Sequence, residues 1–208
     1  MRFVLAALLL ALGSPAPAQQ AQRPNSLLLV AKPGLPDPNF ARTVVLVTQA
    51  EDASTVGVIL NRPTPLKLGD FLSREYPTDN YRDAIYLGGP VMRQAIIALF
   101  ESEAPPRAAA FRVLKHSYLT MHPDNIRVLL EDPKARYRLY AGFSGWAPRQ
   151  LESEFMREGW YVLPADEATL FRETTDGLWE ELVEKAIRSG PRARGEIGPM
   201  ASSIEALQ

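Results

Sequence analysis

The segment Gly142-Phe143-Ser144-Gly145-Trp146 invites a nucleophile reading, because a serine in a glycine-rich turn is what an acyl-transfer enzyme presents. That geometry needs glycine two residues after the serine, and Trp146 holds the place. A triad would also need histidine. The two histidines, His116 and His122, stand among Ser117, Thr120 and Asp124, a context that predicts surface or helix-capping roles. Glu152 and Glu154 would have to meet to act as acid and base, yet at 3.6 residues per turn they project about 200° apart. We read Glu154, near Arg157 and Glu158, as part of a solvated helix face, and Gln150 and Glu152 as groups able to hydrogen-bond the loop backbone. Gly88-Gly89-Pro90 is a poor phosphate loop, lacking both the lysine and the helix start that such a loop requires. Asp37, Asn39 and Asn61-Arg62 lie beside prolines, where Asp and Asn fasten turns, and Trp146 and Trp160 read as packing residues.

The composition narrows the chemistry further. With no cysteine, the chain has no disulfide, thiolate metal site or cysteine nucleophile, and two histidines are few for a zinc or iron centre. We expect neither metal nor cofactor. The 208 residues carry 23 basic against 24 acidic side chains, scattered along the chain, which disfavours nucleic acid as a partner. A 46% hydrophobic content is enough for one globular core. At the amino terminus, Arg2, the apolar run Phe3 to Leu12 and the small residues ending at Ala18 form a signal-peptide pattern, too short in its apolar part to span a bilayer. We expect residues 1–18 to be removed after Ala18, giving an exported, periplasmic or secreted protein without a membrane span.

The elements that must position these residues follow from periodicity. Short apolar or β-branched runs predict strands at Ser26 to Ala31, Thr43 to Thr48, Val56 to Leu60, Ala84 to Leu87, Ala95 to Phe100, Arg138 to Phe143 and Trp160 to Leu163, with another within Phe111 to Leu119. Helical spacing predicts a helix through Leu68, Phe71, Leu72 and Tyr76, and a second from Pro123 through Leu130. A third carries Leu151 and Phe155, and a fourth runs from a cap at Asp176 along Leu178 to Ile187. Residues 189–208 read as a flexible tail. Without regular βαβ alternation, the pattern predicts one compact α+β domain over 26–188, with a mixed or largely antiparallel sheet.

Several dispersed motifs in register then point to a family. They are Leu27 to Ala31 with Pro33; Asp37-Pro38-Asn39-Phe40-Ala41-Arg42-Thr43; Gly57 to Pro63; Tyr86 to Val91; Gly145-Trp146 with Gln150-Leu151-Glu152 and Glu154; and Trp160 with Pro164 and Phe171. Over roughly 26–187 the chain resembles the YqgE/AlgH family. The resemblance implies a mixed sheet with a small barrel-like part and helices around it; it implies no particular reaction, and the regulatory label of some members is an indirect assignment. Family members usually look cytoplasmic, whereas this sequence carries an export signal. Arg149 replaces a common glycine, and Arg93-Gln94-Ala95 replaces an Arg-Gly-Phe step.

The functional expectation is a non-enzymatic module that binds a protein or small ligand through the surface of the Asn61-Arg62-Pro63, Gly88-Gly89-Pro90 and Gly145-Trp146 loops. Its candidate residues are Asn61, Arg62, Gly88, Gly89, Pro90, Trp146, Gln150 and Glu152. One alternative is a hydrolase using Asp37, Glu152 or a histidine in an unrecognised pocket. The other is a transcription-linked regulator, on the family label alone.

Overall fold

The computed structural model describes residues 26–50, 52–71, 83–156 and 159–189; the expected signal segment and nearly all of the expected tail lie outside them. β1 (Leu27–Ala31) runs between β2 (Val44–Gln49) and β10 (Trp160–Pro164), antiparallel to both. β3 (Thr55–Ile59) continues the meander, pairing with β2 and then with β9 (Tyr137–Trp146). Beyond β9 come β6 (Val91–Glu101), β8 (Ser117–Thr120) and β7 (Phe111–Arg112). The short pair β4 (Pro63–Lys67) and β5 (Ala84–Leu87) attaches to β9 through a parallel β5–β9 ladder. The result is an α+β sheet, antiparallel except at that ladder, whose pairing path ends at β10 and β7 without closing.

Alternation along these strands sorts the side chains into faces. Leu28, Val30, Val44, Leu46, Val58 and Leu60 point to one side, where α4 (Leu178–Arg188) covers them with Leu178, Trp179, Leu182 and Ala186. Leu29, Ala31, Val45, Val47 and Ile59 point to the other, where α2 (Gln150–Met156) adds Leu151. In the second half of the sheet Ala98, Phe100, Leu139 and Ala141 pack on α1 (Pro123–Glu131) through Ile126, Leu129 and Leu130. A single turn of helix, α3 (Glu167–Leu170), is capped by the Asp166 carboxylate at Thr169 N.

Four expectations need correction. Pro63–Lys67 is a strand, tolerated despite two prolines because β4 pairs only with β5 and has no second ladder to break. The expected helix from Leu68 begins as a 3₁₀ turn at Leu68–Asp70, and 72–82 lie outside the described residues. Gly145-Trp146 is no loop: it completes β9, with Trp146 opposite Thr55. The cap of α4 is Gly177, in the left-handed region at φ 70°, in place of Asp176.

Gly142 explains how β9 serves both halves of the sheet. Tyr140 and Phe143 both pack into the core beneath α4, although strict alternation would place them on opposite faces of β9. At Gly142 the backbone takes φ 68° beside an irregular stretch of β6 between Val91 and Ile96, and this bulge resets the alternation.

Candidate functional site

The motif residues gather at one place, built upward from the turn Asp37 to Thr43. The Asp37 carboxylate accepts from Asn39 N at 2.8 Å, and its carbonyl accepts from Phe40 N and Ala41 N at 3.0 and 2.8 Å. From the far side, the Arg62 guanidinium donates to the carbonyls of Asn39 at 2.6 Å and of Pro38 and Ala41 at 3.2 Å each. Partial burial pushes the Arg62 pKa down from its ordinary value, and Asp37 pulls it back, so the guanidinium stays charged. Asn61 imitates a strand residue: it donates to Arg42 O at 3.0 Å and accepts from Val44 N at 2.8 Å.

The same turn presents Phe40, whose ring stacks on Trp146 and meets Trp160 edge-on, both at 5.6 Å between centroids. Glu154 closes this aromatic group. One of its carboxylate oxygens accepts from Trp146 Nε1 at 3.1 Å and from Trp160 Nε1 at 3.3 Å. Glu154 is therefore no solvated face residue; it pins α2 to the ends of β9 and β10. Gln150 Oε1 accepts from Ala147 N at 3.1 Å, the backbone-fastening role expected of it. The structure describes no side chain for Glu152.

Gly88 and Gly89 lie where β3, β5 and β9 diverge. Gly88 donates to Ala141 O and accepts from Ile59 N, both at 2.9 Å, and from the buried Ser144 Oγ at 3.1 Å. An added Cβ would stand 2.2 Å from Gly142 O at Gly88 and 2.3 Å from Phe143 C at Gly89, so both positions demand close backbone approach. Leu87 N donates to Arg62 O at 2.8 Å, which joins this junction to the Asn61-Arg62 turn. The structure thus brings the three predicted segments together. It does so through backbone: Gly88, Gly89 and Trp146 are buried, Asn61 and Arg62 are half-buried, and Pro90 and Gln150 are exposed.

The residues of the enzyme alternative are dispersed. Ser144 is fully buried with its hydroxyl turned to Gly88 O, His122 Nδ1 accepts from Asp124 N as the cap of α1, and His116 Nδ1 lies 3.2 Å from Glu103. Asp37 serves its own turn.

Two openings flank the turn between α1 and β9. One, of about 410 Å³, is lined by Asp83, Tyr86, Asp132, Pro133, Tyr137 and Arg138 among others. The other, of about 620 Å³, lies beside Glu103, Arg107, His116, Lys134 and Arg136. Sequence reasoning named Tyr86 and His116 but placed neither at an opening, because these residues converge only through the parallel β5–β9 pairing and the docking of α1.

An α+β sheet whose motif loop is clamped by one arginine and in which Trp146 and Trp160 share the Glu154 carboxylate defines a fastened, single-sheet domain. The chain belongs to the AlgH-like family (DUF179), whose model matches residues 28–188. The UPF0301 protein of Streptomyces coelicolor is 31% identical over 182 residues, covering 84% of this chain and 89% of its own. That of Thermobifida fusca is 34% identical over 167 residues, covering 76% and 84%. Among solved structures, the AlgH protein of Pseudomonas aeruginosa matches with a TM-score of 0.62 and 26% identity, over 82% of this chain and 90% of that one.

Proposed function

We propose that this AlgH-like protein is an exported, non-enzymatic binding module, in which the motif residues form the scaffold and ligands are met where the scaffold opens. The observation that carries the reading is how the motif's polar groups are used. Arg62 is committed to three backbone carbonyls, Asn61 to two backbone groups, Glu154 to two indoles, Gln150 to Ala147 N and Ser144 to Gly88 O. A group so engaged is held in place for structure and is poorly placed to change partners during a reaction. The exposed Pro90 and Gln150 and the half-buried Asn61 and Arg62 remain the motif positions that a partner protein or small ligand would touch. We take the barrel-like part implied by the resemblance to be the curl of β3, β5 and β9 about Gly88.

Export rests on the apolar run Phe3 to Leu12 and the small residues up to Ala18. Among the described residues no helix is long and apolar enough to cross a membrane. Cell fractionation of the tagged full chain, with determination of its amino terminus, tests the location: a periplasmic or secreted product beginning at Gln19 supports export, and a cytosolic one retaining Met1 overturns it. The binding reading is tested by assaying the chain against ester, phosphoester and peptide substrates. Turnover that disappears in Ser144→Ala, His116→Ala or His122→Ala would establish the hydrolase instead.

A further inference from the structure

We propose that an apolar slot, left open among the described residues on the sheet beyond α4, is covered by the segment of this chain that follows α4, with Ile197 and Met200 seated in it. The inference goes beyond the binding-module reading and does not rest on it. The slot arises where one face of the sheet outruns its helix. α4 packs against β1 and β10, at one end of the strand order, and the same apolar face continues through β3, β9, β6, β8 and β7. There Val56, Phe111, Met121 and Phe143 surround a gap over Ile97 and Leu119. Ile97 and Leu119 are buried, whereas Val56, Phe111 and Phe143 are half-buried and Met121 is 42% exposed. Large apolar side chains gathered in the open mark a surface that another segment covers. The gap holds about 10 Å³, far below the roughly 300–1,000 Å³ of a small-molecule site, so it suits a side chain of a covering segment and no free ligand.

Reach and charge identify the occupant. Because α4 lies on this face, the chain leaves Arg188 on the side where the slot opens. From Ser189 to Met200 an extended chain spans roughly 35 Å, close to the roughly 40 Å width of a domain of this size, so the slot is within reach. The polar lead-in 19–25 has no large apolar residue to offer, whereas 190–208 contains Ile197 and Met200. Charge sets the register. The turn leading into β3 presents the exposed Asp52, whose Oδ1 accepts from Ser54 Oγ at 2.5 Å and from Ser54 N at 3.0 Å. Those bonds hold its carboxyl below the ordinary value and keep it ionised. Arg192 and Arg194 precede Ile197 and Met200 in the chain as Asp52 precedes Val56, so an arginine paired with Asp52 brings the apolar residues to the slot. An exposed ion pair contributes little by itself; burial of Ile197 and Met200 carries the contact, and the arginines direct it.

The test exploits the absence of cysteine: Ser202→Cys carries a nitroxide at a single position of the full chain, just beyond Met200. Backbone amide NMR, with the label oxidised and then reduced, reads which amides lie near it. The proposal expects selective loss of signal at Val56, Phe111, Met121 and Phe143. Ile197→Asp combined with Met200→Asp should abolish that loss, and Asp52→Asn should reduce it. A chain ending at Ser189 should retain its thermal unfolding transition while the same four amides shift. Thermal unfolding of every variant separates a lost contact from a lost fold. Signal loss absent from the slot, spread evenly over the surface or unchanged in the variants overturns the proposal. So does loss in an isotope-labelled chain without nitroxide when it is mixed with the spin-labelled chain, because the occupant is then a second copy.

Discussion

Glu154 carries more of this domain than its neighbours in sequence suggest. Its carboxylate is the common acceptor for two indole N–H groups, and charge-assisted hydrogen bonds of this kind contribute about 1.5–3 kcal/mol. Glu154→Ala is expected to lower stability by about 2 kcal/mol and to change the tryptophan emission at once, while Glu154→Gln, which keeps an acceptor oxygen, loses less; chemical denaturation read by fluorescence checks both. Arg62→Ala should cost a similar amount by releasing the Asp37 to Thr43 turn, and Arg62→Lys should recover only part, because an ammonium cannot bridge three carbonyls from one plane. Tyr140 behaves oppositely. Removing its unpartnered hydroxyl in Tyr140→Phe should change neutral-pH stability by less than about 1 kcal/mol, or raise it. Burial pushes the Tyr140 phenol up from its ordinary value, with Arg138 opposing. A folded pKa above the unfolded one means that its contribution is complete below about pH 10 and is lost as pH rises through the folded value. The wild type should therefore lose stability above about pH 10 more steeply than Tyr140→Phe, in unfolding curves taken across that range.

At the scale of elements, the junction of β3, β5 and β9 depends on close backbone approach at Gly88 and Gly89. Its glycines differ in kind from the others. Gly89→Ala would drive a methyl into the backbone of Phe143, where no side chain can yield, and should cost about 3 kcal/mol or more. Gly34→Ala meets nothing within 4 Å but must hold φ 89°, and should cost about 1 kcal/mol. Comparing the two unfolding midpoints separates close approach from backbone conformation. The strands of the meander were legible because their side chains are apolar on both faces, covered by α4 on one and α2 on the other. β4 was not, since two prolines mask a strand whose only ladder is to β5. The end of β9 was read as a loop because its glycines and Trp146 carry no alternation once Gly142 has reset the register.

The molecule as a whole is tied together by pairings distant in sequence. β1 is paired to β10, and Trp179 on α4 donates from Nε1 to Ala31 O at 2.7 Å across 148 residues. Removal of 178–189 would uncover Leu28, Val30, Val44 and Leu46 together, and the shortened chain is expected to lose its cooperative transition in calorimetry. The amino-acid sequence by itself determined the family, the α+β class and most of the strands, and it pointed both histidines to surface or capping roles, of which the structure gives His122 the cap of α1, because each rests on local periodicity, turn chemistry or motifs in register. Only the tertiary structure decided that Gly88 and Gly89 serve backbone contact, that Glu154 joins two tryptophans, and that Asp83, Asp132 and Arg138 line one opening. Those relations are set by which strands become neighbours and where a bulge turns the side chains, and that information lies in packing between residues far apart in the chain.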